Sequence, residues 1–262
     1  MTGRPSNVGN KLLAALPPAD FHLLSPHLQN IAFEVDAALV QSGDELNQVY
    51  FPDSGAIAFM AEMPNGQTVA TTLMGPEGAV GSLTVLGPSH SPVTAIARVA
   101  GTASQISVAK LQSAYRRSAA IRHVVHVHIR TQILQLQQVA ACNALHPVEQ
   151  RMARWLLELH DHVADDVLPV TQEALAHLLG VRRTTVTLAM SKLRAAGALK
   201  SDRRGLVEID RAQLEHITCD CYTLMRSRIG PAYDKELSKP PRSVAPFEET
   251  RPEVKAARAE RP

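Results

Sequence analysis

The sequence predicts an α+β protein with a β-rich N-terminal domain, a long connecting helix and a small C-terminal helical domain. Three observations lead to this fold class. Turn-forming residues separate short β-prone runs between Ile31 and Lys110. No Gly or Pro interrupts the stretch from Ile121 to Leu145. Two further helical patterns then follow, one on each side of Gly180.

Length and composition narrow the class of protein. The chain has 262 residues, 45% of them hydrophobic and 20% charged, so it is able to bury a sizeable core. Its longest apolar runs fall far short of the roughly 20 residues that a membrane span requires. The N-terminus lacks the apolar core of a secretory signal, and three cysteines do not make a disulfide framework. We therefore expect a cytoplasmic protein without a membrane partner.

The N-terminal β domain is expected to be an antiparallel sandwich or barrel, because its turn signals recur at regular spacing. Pro64–Gly66 is the clearest turn, since Asn-Gly tolerates the positive φ values of a tight hairpin. Residues 1–115 hold 4 Lys and Arg against 8 Asp and Glu, whereas residues 116–230 hold 16 against 11. An acidic N-terminal part is thus followed by a basic part.

The long helix carries an apolar stripe at spacings of three and four residues. A second apolar edge begins at Val124, so the helix is predicted to be buried on two sides, against its own β domain and against a second copy of the chain. Packing wholly within its own chain is the alternative. On the following helix, Arg154 and Glu158 are expected to face water. The residues of the dimer stripe are Ile121, Val125, Ile129, Ile133, Leu136 and Ala140.

A helix-turn-helix is predicted between Val170 and Ala196. Thr171 is a good N-cap for the first helix, and Gly180 permits the left-handed turn that ends it. The second helix is expected from about Arg183, with an inward face formed by Val186, Ala189, Met190 and Leu193.

The outward face of this second helix predicts binding to double-stranded DNA. Between Arg182 and Arg204 there are seven basic residues and one acidic residue. An Arg can form paired hydrogen bonds with guanine, and Thr can reach phosphates or a thymine methyl group. A small helical bundle with a solvated basic face is the alternative. The predicted base contacts are Arg183, Thr184, Thr187 and Leu188, and the predicted phosphate contacts on this helix include Arg182 and Lys192.

A wing is predicted after the second helix. The strands Ala198–Lys200 and Leu206–Ile209 flank a polar turn, and Arg203 and Arg204 at its tip are expected to contact the phosphate backbone. Beyond Gly230 the Pro-, Glu- and Arg-rich remainder lacks apolar periodicity, which predicts a disordered tail.

The sequence contains two sets of candidate metal ligands, and neither predicts a metal site. His123 and His126 have an i, i+3 spacing without a carboxylate or thiol nearby in sequence, which favours a solvated or interface face. Cys142 and His146 share a helical face, but Pro147 is expected to disrupt that turn, so packing is favoured over ligation.

The pair Cys219 and Cys221 suits neither a tetrahedral zinc site by itself nor a disulfide in so tight a loop. A redox role would need a further thiol nearby. No nucleotide-binding loop, hydrolase elbow or metalloprotease motif is present, so no catalytic residue, metal or cofactor is expected.

The layout resembles the Crp/Fnr family of bacterial transcription regulators. TQEALAHLLGVRRTTVTLAMSKLRAAGAL resembles that family's winged helix-turn-helix, and CNALHPVEQRMARWLL is similar to the junction between dimer helix and DNA-binding domain. The resemblance implies a jelly-roll-like double-stranded β-helix of the cyclic-nucleotide-binding type. It also implies base contacts by Arg183, Thr184 and Leu188 and phosphate contacts by Thr171 and Thr185. The expected domains are 1–115 (sensor), 116–145 (dimer helix), 146–230 (DNA-binding) and 231–262 (disordered tail).

The resemblance also places an effector pocket, but with a departure. Gly75, Glu77 and Gly78 resemble the start of the family's phosphate cassette, and the pocket would continue through Ser91 to Thr94. Thr94 stands where cyclic-AMP-binding members have an Arg, so cyclic AMP is not expected, although Arg98 allows a different alignment. Residues 1–141 contain no Cys, which excludes an oxygen-sensing cluster there. The small-molecule effector stays unknown.

The predicted function is thus a ligand-responsive, homodimeric transcription regulator that binds double-stranded DNA, with RNA polymerase as a further partner if it activates. Two rivals stay open. In the first, the helical domain binds a protein instead of DNA. In the second, the chain is an enzyme that uses the His-rich helix or the Cys pair.

Overall fold

The structure is a computed structural model that describes residues 8–87, 90–203 and 205–240. Two short helices, α1 (Lys11–Ala14) and α2 (Pro18–Phe21), precede the β domain. A 3₁₀ helix, Ser82–Leu86, lies between its fifth and sixth strands. The strands are β1 (Gln29–Phe33), β2 (Ala38–Val40), β3 (Gln48–Pro52), β4 (Ala56–Glu62), β5 (Thr68–Met74), β6 (Thr94–Val99) and β7 (Gly101–Ser107).

The seven strands form two antiparallel sheets, ordered β1-β7-β3 and β2-β6-β4-β5. Side chains from their facing surfaces, among them Phe33, Ile57 and Ala103, form a buried layer between the sheets. The β4–β5 hairpin pairs Glu62 with Thr68, and Gly66 takes φ +79° in its turn. The predicted antiparallel sandwich and its hairpin are therefore confirmed.

Helix α3 (Val108–Arg117) and helix α4 (Ala119–Leu145) follow the sandwich. Ser118 separates them, and its Oγ accepts a hydrogen bond of 3.0 Å from the backbone N–H of Ile121. The long helix therefore starts at residue 119 and not at 116. Ile121 and Val125 are buried in a core formed with α1 and α3. These two residues of the predicted dimer stripe pack within their own chain, which corrects the expectation that they face a partner.

The C-terminal domain consists of helices around a small sheet ordered β8-β10-β9. The central helix, α5 (Val148–His160), contacts four other helices of the domain, so both its faces are covered. The helices and strands of the C-terminal domain are α5 (Val148–His160), β8 (Val167–Leu168), α6 (Gln172–Leu179), α7 (Arg183–Ala195), β9 (Leu199–Arg203), β10 (Leu206–Ile209), α8 (Arg211–Ile217) and α9 (Cys221–Ile229).

The covering of α5 corrects the expectation that its charged residues face water. The Arg154 side chain has no exposed surface, and its Nη1 donates to Glu158 Oε1 at 2.8 Å. Burial raises the pKa of Glu158, and the nearby Arg154 acts against that shift. A buried charge pair of this kind needs its other hydrogen bonds satisfied, because each unpartnered polar group in the interior is costly.

The C-terminal domain packs directly on the β domain. Ala56, Ala58 and Met60 on the outer face of β4 share one core with the apolar side chains of α5, α6 and α7. A Cβ placed on Gly180 would lie 3.1 Å from the side chain of Val69 on β5. Both faces of the four-stranded sheet are therefore buried, one inside the sandwich and one under the helical domain.

The prediction of a disordered tail is wrong for its first residues. Pro231–Leu237 form a further helix, α10, which packs against α4. Tyr233 and Leu237 lie one helical turn apart, and both are buried in the core around α1 and α3. Polar contacts add to this packing, among them the ion pairs of Lys11 with Asp234 and of Arg130 with Glu236. Residues 241–262, the rest of the predicted tail, lie outside the described residues.

None of the described helices is long and apolar enough to span a membrane.

Candidate DNA-binding surface

The first helix of the helix-turn-helix is α6, and its ends are fixed as the sequence predicts. Thr171 Oγ1 accepts a hydrogen bond of 3.0 Å from the backbone N–H of Ala174, which caps the helix. Gly180 ends it in the left-handed conformation at φ +65°. Arg151 of α5 donates to the backbone oxygen of Leu179, so the last turn of α6 is also held from the side.

The second helix, α7, has one buried face and one exposed face. Val186, Ala189 and Met190 on its inner face are no more than 1% exposed. Arg183 and Leu188 lie on the opposite face and are exposed, Leu188 to 67%. The inner face fixes the helix in its domain, which leaves the cationic face free to meet another molecule. Arg182, Thr184, Thr187 and Lys192 are exposed as well, and Thr185 is half-buried.

Besides Thr171, two further predicted DNA contacts have partners within the chain. The Thr187 hydroxyl donates to the backbone oxygen of Arg183 at 3.1 Å. The Lys192 ammonium pairs with Glu149 of α5 and holds the pKa of that carboxyl below its usual range. The side chain of Lys192 is still 69% exposed. Contact with a phosphate would therefore compete with Glu149 at this position.

The predicted wing is a regular antiparallel hairpin of β9 and β10. Val207 lies opposite Asp202, and Gly205 takes φ +79° in the turn between the strands. The backbone of Arg203 belongs to β9, while Arg204 lies outside the described residues and nothing is described of either side chain. Asp210 Oδ1 accepts the backbone N–H of Gln213 at 3.1 Å, which caps α8.

A cavity of about 550 Å³ lies in the β domain, between the sandwich and α4. Its described lining is mostly apolar, and Phe59, Leu83 and Ile133 contribute to it. No Arg or Lys is among those described lining residues, and His90 is the titratable group there. A neutral or apolar occupant suits this lining better than an anion, which would lack a cationic partner.

Two family models match the chain. Residues 31–118 match the cyclic nucleotide-binding domain, and residues 150–217 match the Crp-like helix-turn-helix domain. Together the two models span more than half of the chain, in the order and on the elements described above. The chain belongs to the Crp/Fnr family.

Solved structures of Crp/Fnr-type proteins share this fold. The c-di-GMP-responsive global regulator CLP of Xanthomonas campestris is 21% identical, with 74% of this chain and 99% of that chain covered and a TM-score of 0.61. FixK2 of Bradyrhizobium japonicum is 17% identical, with 73% and 98% covered and a TM-score of 0.62. A CRP-family transcriptional regulator of Thermus thermophilus is 21% identical, with 71% and 95% covered and a TM-score of 0.61. No curated protein matches the chain by sequence.

Most residues of the effector pocket that the Crp/Fnr resemblance implied lie outside this cavity. Gly75, Glu77 and Gly78 do not line the cavity. These residues form a turn inside the protein, in which Glu77 Oε1 accepts a hydrogen bond of 2.8 Å from the backbone N–H of Gly75. A Cβ on Gly75 would fall 2.1 Å from the ring of His162, so the loop after α5 closes this turn from outside. The hydroxyl of Tyr233 donates to the Glu77 backbone oxygen at 2.9 Å.

Ser91 does line the cavity, whereas Thr94 does not. The Thr94 hydroxyl accepts the backbone N–H of Ser42 at 3.1 Å instead. Arg98, the cation that a different alignment would have placed in the pocket, pairs with Asp36 and is absent from the described lining. Of the predicted effector residues, Ser91 therefore lies in the described lining of this cavity, and Gly75, Glu77, Gly78 and Thr94 lie outside it.

Gly81 and Ser82 are lining residues that the sequence reasoning missed. Gly81 takes φ +83° directly before the 3₁₀ helix Ser82–Leu86, so the backbone turns there against the cavity. A Gly followed by a short run without strand alternation was the signal for the turn at Gly81. The turn at Gly75–Gly78 also contains Gly, and the two turns lie within six residues of each other. Sequence spacing alone did not distinguish between them.

The predicted dimer stripe is buried in the first half of α4 and exposed in the second half. Ile129 is half-buried, Ile133 is 51% exposed and Leu136 is 43% exposed. Ala140 is exposed as well. The second half of the stripe therefore presents apolar surface to the outside.

The histidines of α4 have partners within the chain. His123 Nε2 lies 2.9 Å from the backbone oxygen of Glu236, and His126 Nε2 contacts the Tyr115 hydroxyl. Both contacts lie within the chain, and the solvated or interface face stays a prediction.

The structure brings Cys142, His146, Cys219 and Cys221 together at one place. The expectation that Pro147 disrupts the turn between Cys142 and His146 is wrong. The His146 N–H still donates to the Cys142 backbone oxygen at 3.1 Å despite Pro147.

Proposed function

We propose that this chain is a cytoplasmic, non-enzymatic transcription regulator that binds specific double-stranded DNA as a homodimer. A signal other than cyclic AMP, sensed in the N-terminal β domain, would control it. The single observation that carries the proposal is the exposed cationic face of α7 on a helix whose other face is buried. Such a helix, preceded by a Gly turn and followed by a wing, suits the major groove.

The base contacts would come from the first two turns of α7. Arg183 offers two parallel hydrogen bonds to a guanine edge, and the exposed Leu188 side chain offers apolar contact with a thymine methyl group. Thr184 and Thr187 complete the set, each with a hydroxyl and a methyl group. A helix N-terminus also favours negative charge, which fits phosphates beside this end.

Phosphate contacts would surround the base contacts. The exposed Thr171 directly precedes α6, and the exposed Arg182 directly precedes α7. Lys192 would release Glu149 and bind a phosphate instead. Such contacts add affinity without reading sequence and make binding fall with ionic strength. The further phosphate contacts that we propose are Thr185 on α7 and Arg203 and Arg204 on the wing.

A second copy of the chain would cover the exposed half of the α4 stripe. Ile133, Leu136 and Ala140 recur at heptad-like spacings and are exposed in the single chain. Two α4 helices packed along this stripe would pair two α7 helices, as a near-palindromic site requires. RNA polymerase would be a further partner if the regulator activates.

The cavity is the proposed place of the signal. Ile133 and Leu136 of α4 line it from one side, so an occupant would contact the same helix that carries the dimer stripe. The mostly apolar lining favours a neutral or apolar molecule over a cyclic nucleotide. A ligand that binds one arrangement of α4 better than another would shift the population between them.

Exposure of Leu188 is the observation that favours the rival function, in which α7 binds a protein. The two functions differ in their response to salt. Affinity for DNA falls steeply as ionic strength rises, whereas a protein interface of this apolar character responds more weakly.

The proposed function is tested by footprinting the protein on DNA from its own genomic neighbourhood, followed by affinity measurements on the protected site. Arg183→Ala is expected to weaken binding there by about 1 to 3 kcal/mol and to relax selectivity at one base pair. Binding to random DNA should change much less, because phosphate contacts remain.

Arg117→Ala is the matched control, since Arg117 is an exposed Arg on α3 of the β domain. This variant should bind the site like the unaltered protein. Equal losses on the site and on random DNA for Arg183→Ala would show that Arg183 only holds phosphate. A protein that ignores duplex DNA even at low ionic strength would contradict the proposed function.

A further inference from the structure

Four potential metal ligands meet where α4 ends and α9 begins. Cys142 lies in the last turn of α4, and His146 follows directly after that helix. Cys219 and Cys221 flank the start of α9. One ligand atom from each of the four side chains lies within 4.8 Å of all the others. The chain has three cysteines in all, and all three belong to this cluster.

The two distances known within the cluster match the edges of a tetrahedron around one ion. Cys142 Sγ lies 3.7 Å from Cys219 Sγ, and Cys221 Sγ lies 3.5 Å from His146 Nδ1. With Zn–S of about 2.3 Å and Zn–N of about 2.0 Å, tetrahedral geometry requires about 3.8 Å between two sulfurs and about 3.5 Å between sulfur and nitrogen. An iron–sulfur cube binds each cysteine to a different iron and so holds the sulfurs farther apart.

A buried cation, the guanidinium of Arg154, lies beside Cys142. Arg154 is completely buried, and its guanidinium acts electrostatically on Cys142. Within the part of the chain that the structure describes, its Nε and Nη2 have no hydrogen-bond partner. A buried cation with unused donors needs a nearby negative charge. Glu158 supplies one charge at Nη1 and leaves the other donors unused.

Gln138 gives a second contact of the same kind. Its Nε2 donates to Cys221 Sγ at 3.2 Å, and its Oε1 is held by Arg228 at 3.4 Å. A fixed amide donor directed at a sulfur is typical of the residues that surround metal-bound thiolates.

We propose that Cys142, His146, Cys219 and Cys221 bind one tetrahedral Zn²⁺ ion. Three thiol protons pass to water as three Zn–S bonds form, His146 binds as neutral imidazole through Nδ1, and no electron is transferred. The resulting centre carries one net negative charge, which gives the unused donors of Arg154 a partner. The three cysteines are at most 6% exposed, so the fourfold protein coordination leaves no position for a reacting water. The site is therefore structural.

A metal at this place joins parts of the chain that are far apart in sequence. It links the end of the long helix to the start of α9, at the junction between α4 and the C-terminal domain. The orientation of that domain relative to α4 then depends on the ion. Neither a ligand in the cavity nor DNA is needed for this inference, so it can be tested independently of the proposed function.

The test begins with untagged full-length protein purified under reducing conditions without chelators, followed by metal analysis by mass spectrometry. We expect about one zinc per chain. Cys142→Ser and the double variant Cys219→Ser, Cys221→Ser should each lose it. The double variant His123→Ala, His126→Ala is the matched control on the same helix and should keep it.

Variants of buried cysteines can fail to fold, so two further measurements use folded protein. Unaltered protein stripped by a chelator should bind Co²⁺ and develop the strong visible bands of tetrahedral cobalt with thiolate ligands. Gln138→Ala should still fold and bind zinc about 10- to 100-fold more weakly.

Four results would overturn the proposal. They are folded, reduced protein that binds neither Zn²⁺ nor Co²⁺, zinc retained by the cysteine variants, iron recovered together with acid-labile sulfide, and a Cys142–Cys219 disulfide in freshly isolated protein.

Discussion

The two halves of α4 differ in what they contact, although they are one continuous helix. In the first half, Ile121 and Val125 are buried among α1 and α3, and His128 is buried beneath the turn at Gly78. In the second half, Ile133 and Leu136 are exposed although they continue the same stripe. An apolar stripe thus shows that a helix is covered, but not by what.

This difference assigns two roles to one helix. The first half is part of the core that holds the β domain together, so changes there should act on stability. The second half borders the cavity, the proposed dimer contact and the cysteine cluster, so changes there should act on assembly and regulation. The three predictions that follow test this division.

Ile121→Ala should give the largest effect. Removing a buried side chain leaves a cavity, and we expect the free energy of unfolding to fall by about 2 to 5 kcal/mol. Ile133→Ala is the matched change in the second half and should alter it by no more than about 0.5 kcal/mol. Urea titrations at a concentration where the protein is monomeric measure both. Equal losses would show that the two halves do not differ.

Acid should destabilise the first half through His128. Burial lowers the pKa of His128 to about 4, against about 6.5 in an unfolded chain. Between these two values the unfolded state binds the proton and the folded state does not, so stability falls as pH falls from about 6.5 to about 4. The full shift corresponds to about 3 kcal/mol, measured as the free energy of unfolding against pH.

His128→Gln is the control, because it keeps a polar side chain near Ala79 and removes this titration. Other groups, including His126, titrate in both proteins. The difference between the two pH curves therefore isolates His128, and identical curves would contradict the assignment.

Changes in the second half should weaken assembly with little effect on the fold. The double variant Ile133→Ser, Leu136→Ser removes two exposed apolar side chains from the proposed dimer contact. We expect its dimer dissociation constant to rise at least tenfold, or about 1.4 kcal/mol. Sedimentation over a dilution series measures this. Met63→Ser, at an exposed Met on the β4–β5 hairpin, should leave assembly unchanged.

The helix-turn-helix was predictable because its signals are local. Thr171 caps α6, Gly180 ends it, and the residues of α7 alternate between buried and exposed at helical spacing. Each of these features depends on residues within a few positions of each other. The β4–β5 hairpin was predictable for the same reason, since Gly66 sits within its own turn.

The expectations about Arg154 and about the segment after Gly230 were wrong because they depended on contacts with distant parts of the chain. Arg154 was expected in water because α5 has the pattern of a helix with one buried face, yet helices from later in the chain cover the other face. Tyr233 and Leu237 were assigned to a disordered tail because two apolar residues do not make a pattern by themselves. In each case a distant segment supplies the contact, and local spacing carries no record of it.

Local chemistry along the chain was sufficient to specify the antiparallel sandwich, the long helix and the winged helix-turn-helix with its cationic face, because hydrogen bonds, caps and apolar periodicity act over a few residues. Folding in three dimensions determined which part of α4 is left exposed, which Gly turn borders the cavity and which thiols meet. Those features depend on contacts between residues far apart in the chain, such as Cys142 and Cys221, which are 79 positions apart. Packing of whole elements against each other brings such residues together, and sequence spacing does not encode it.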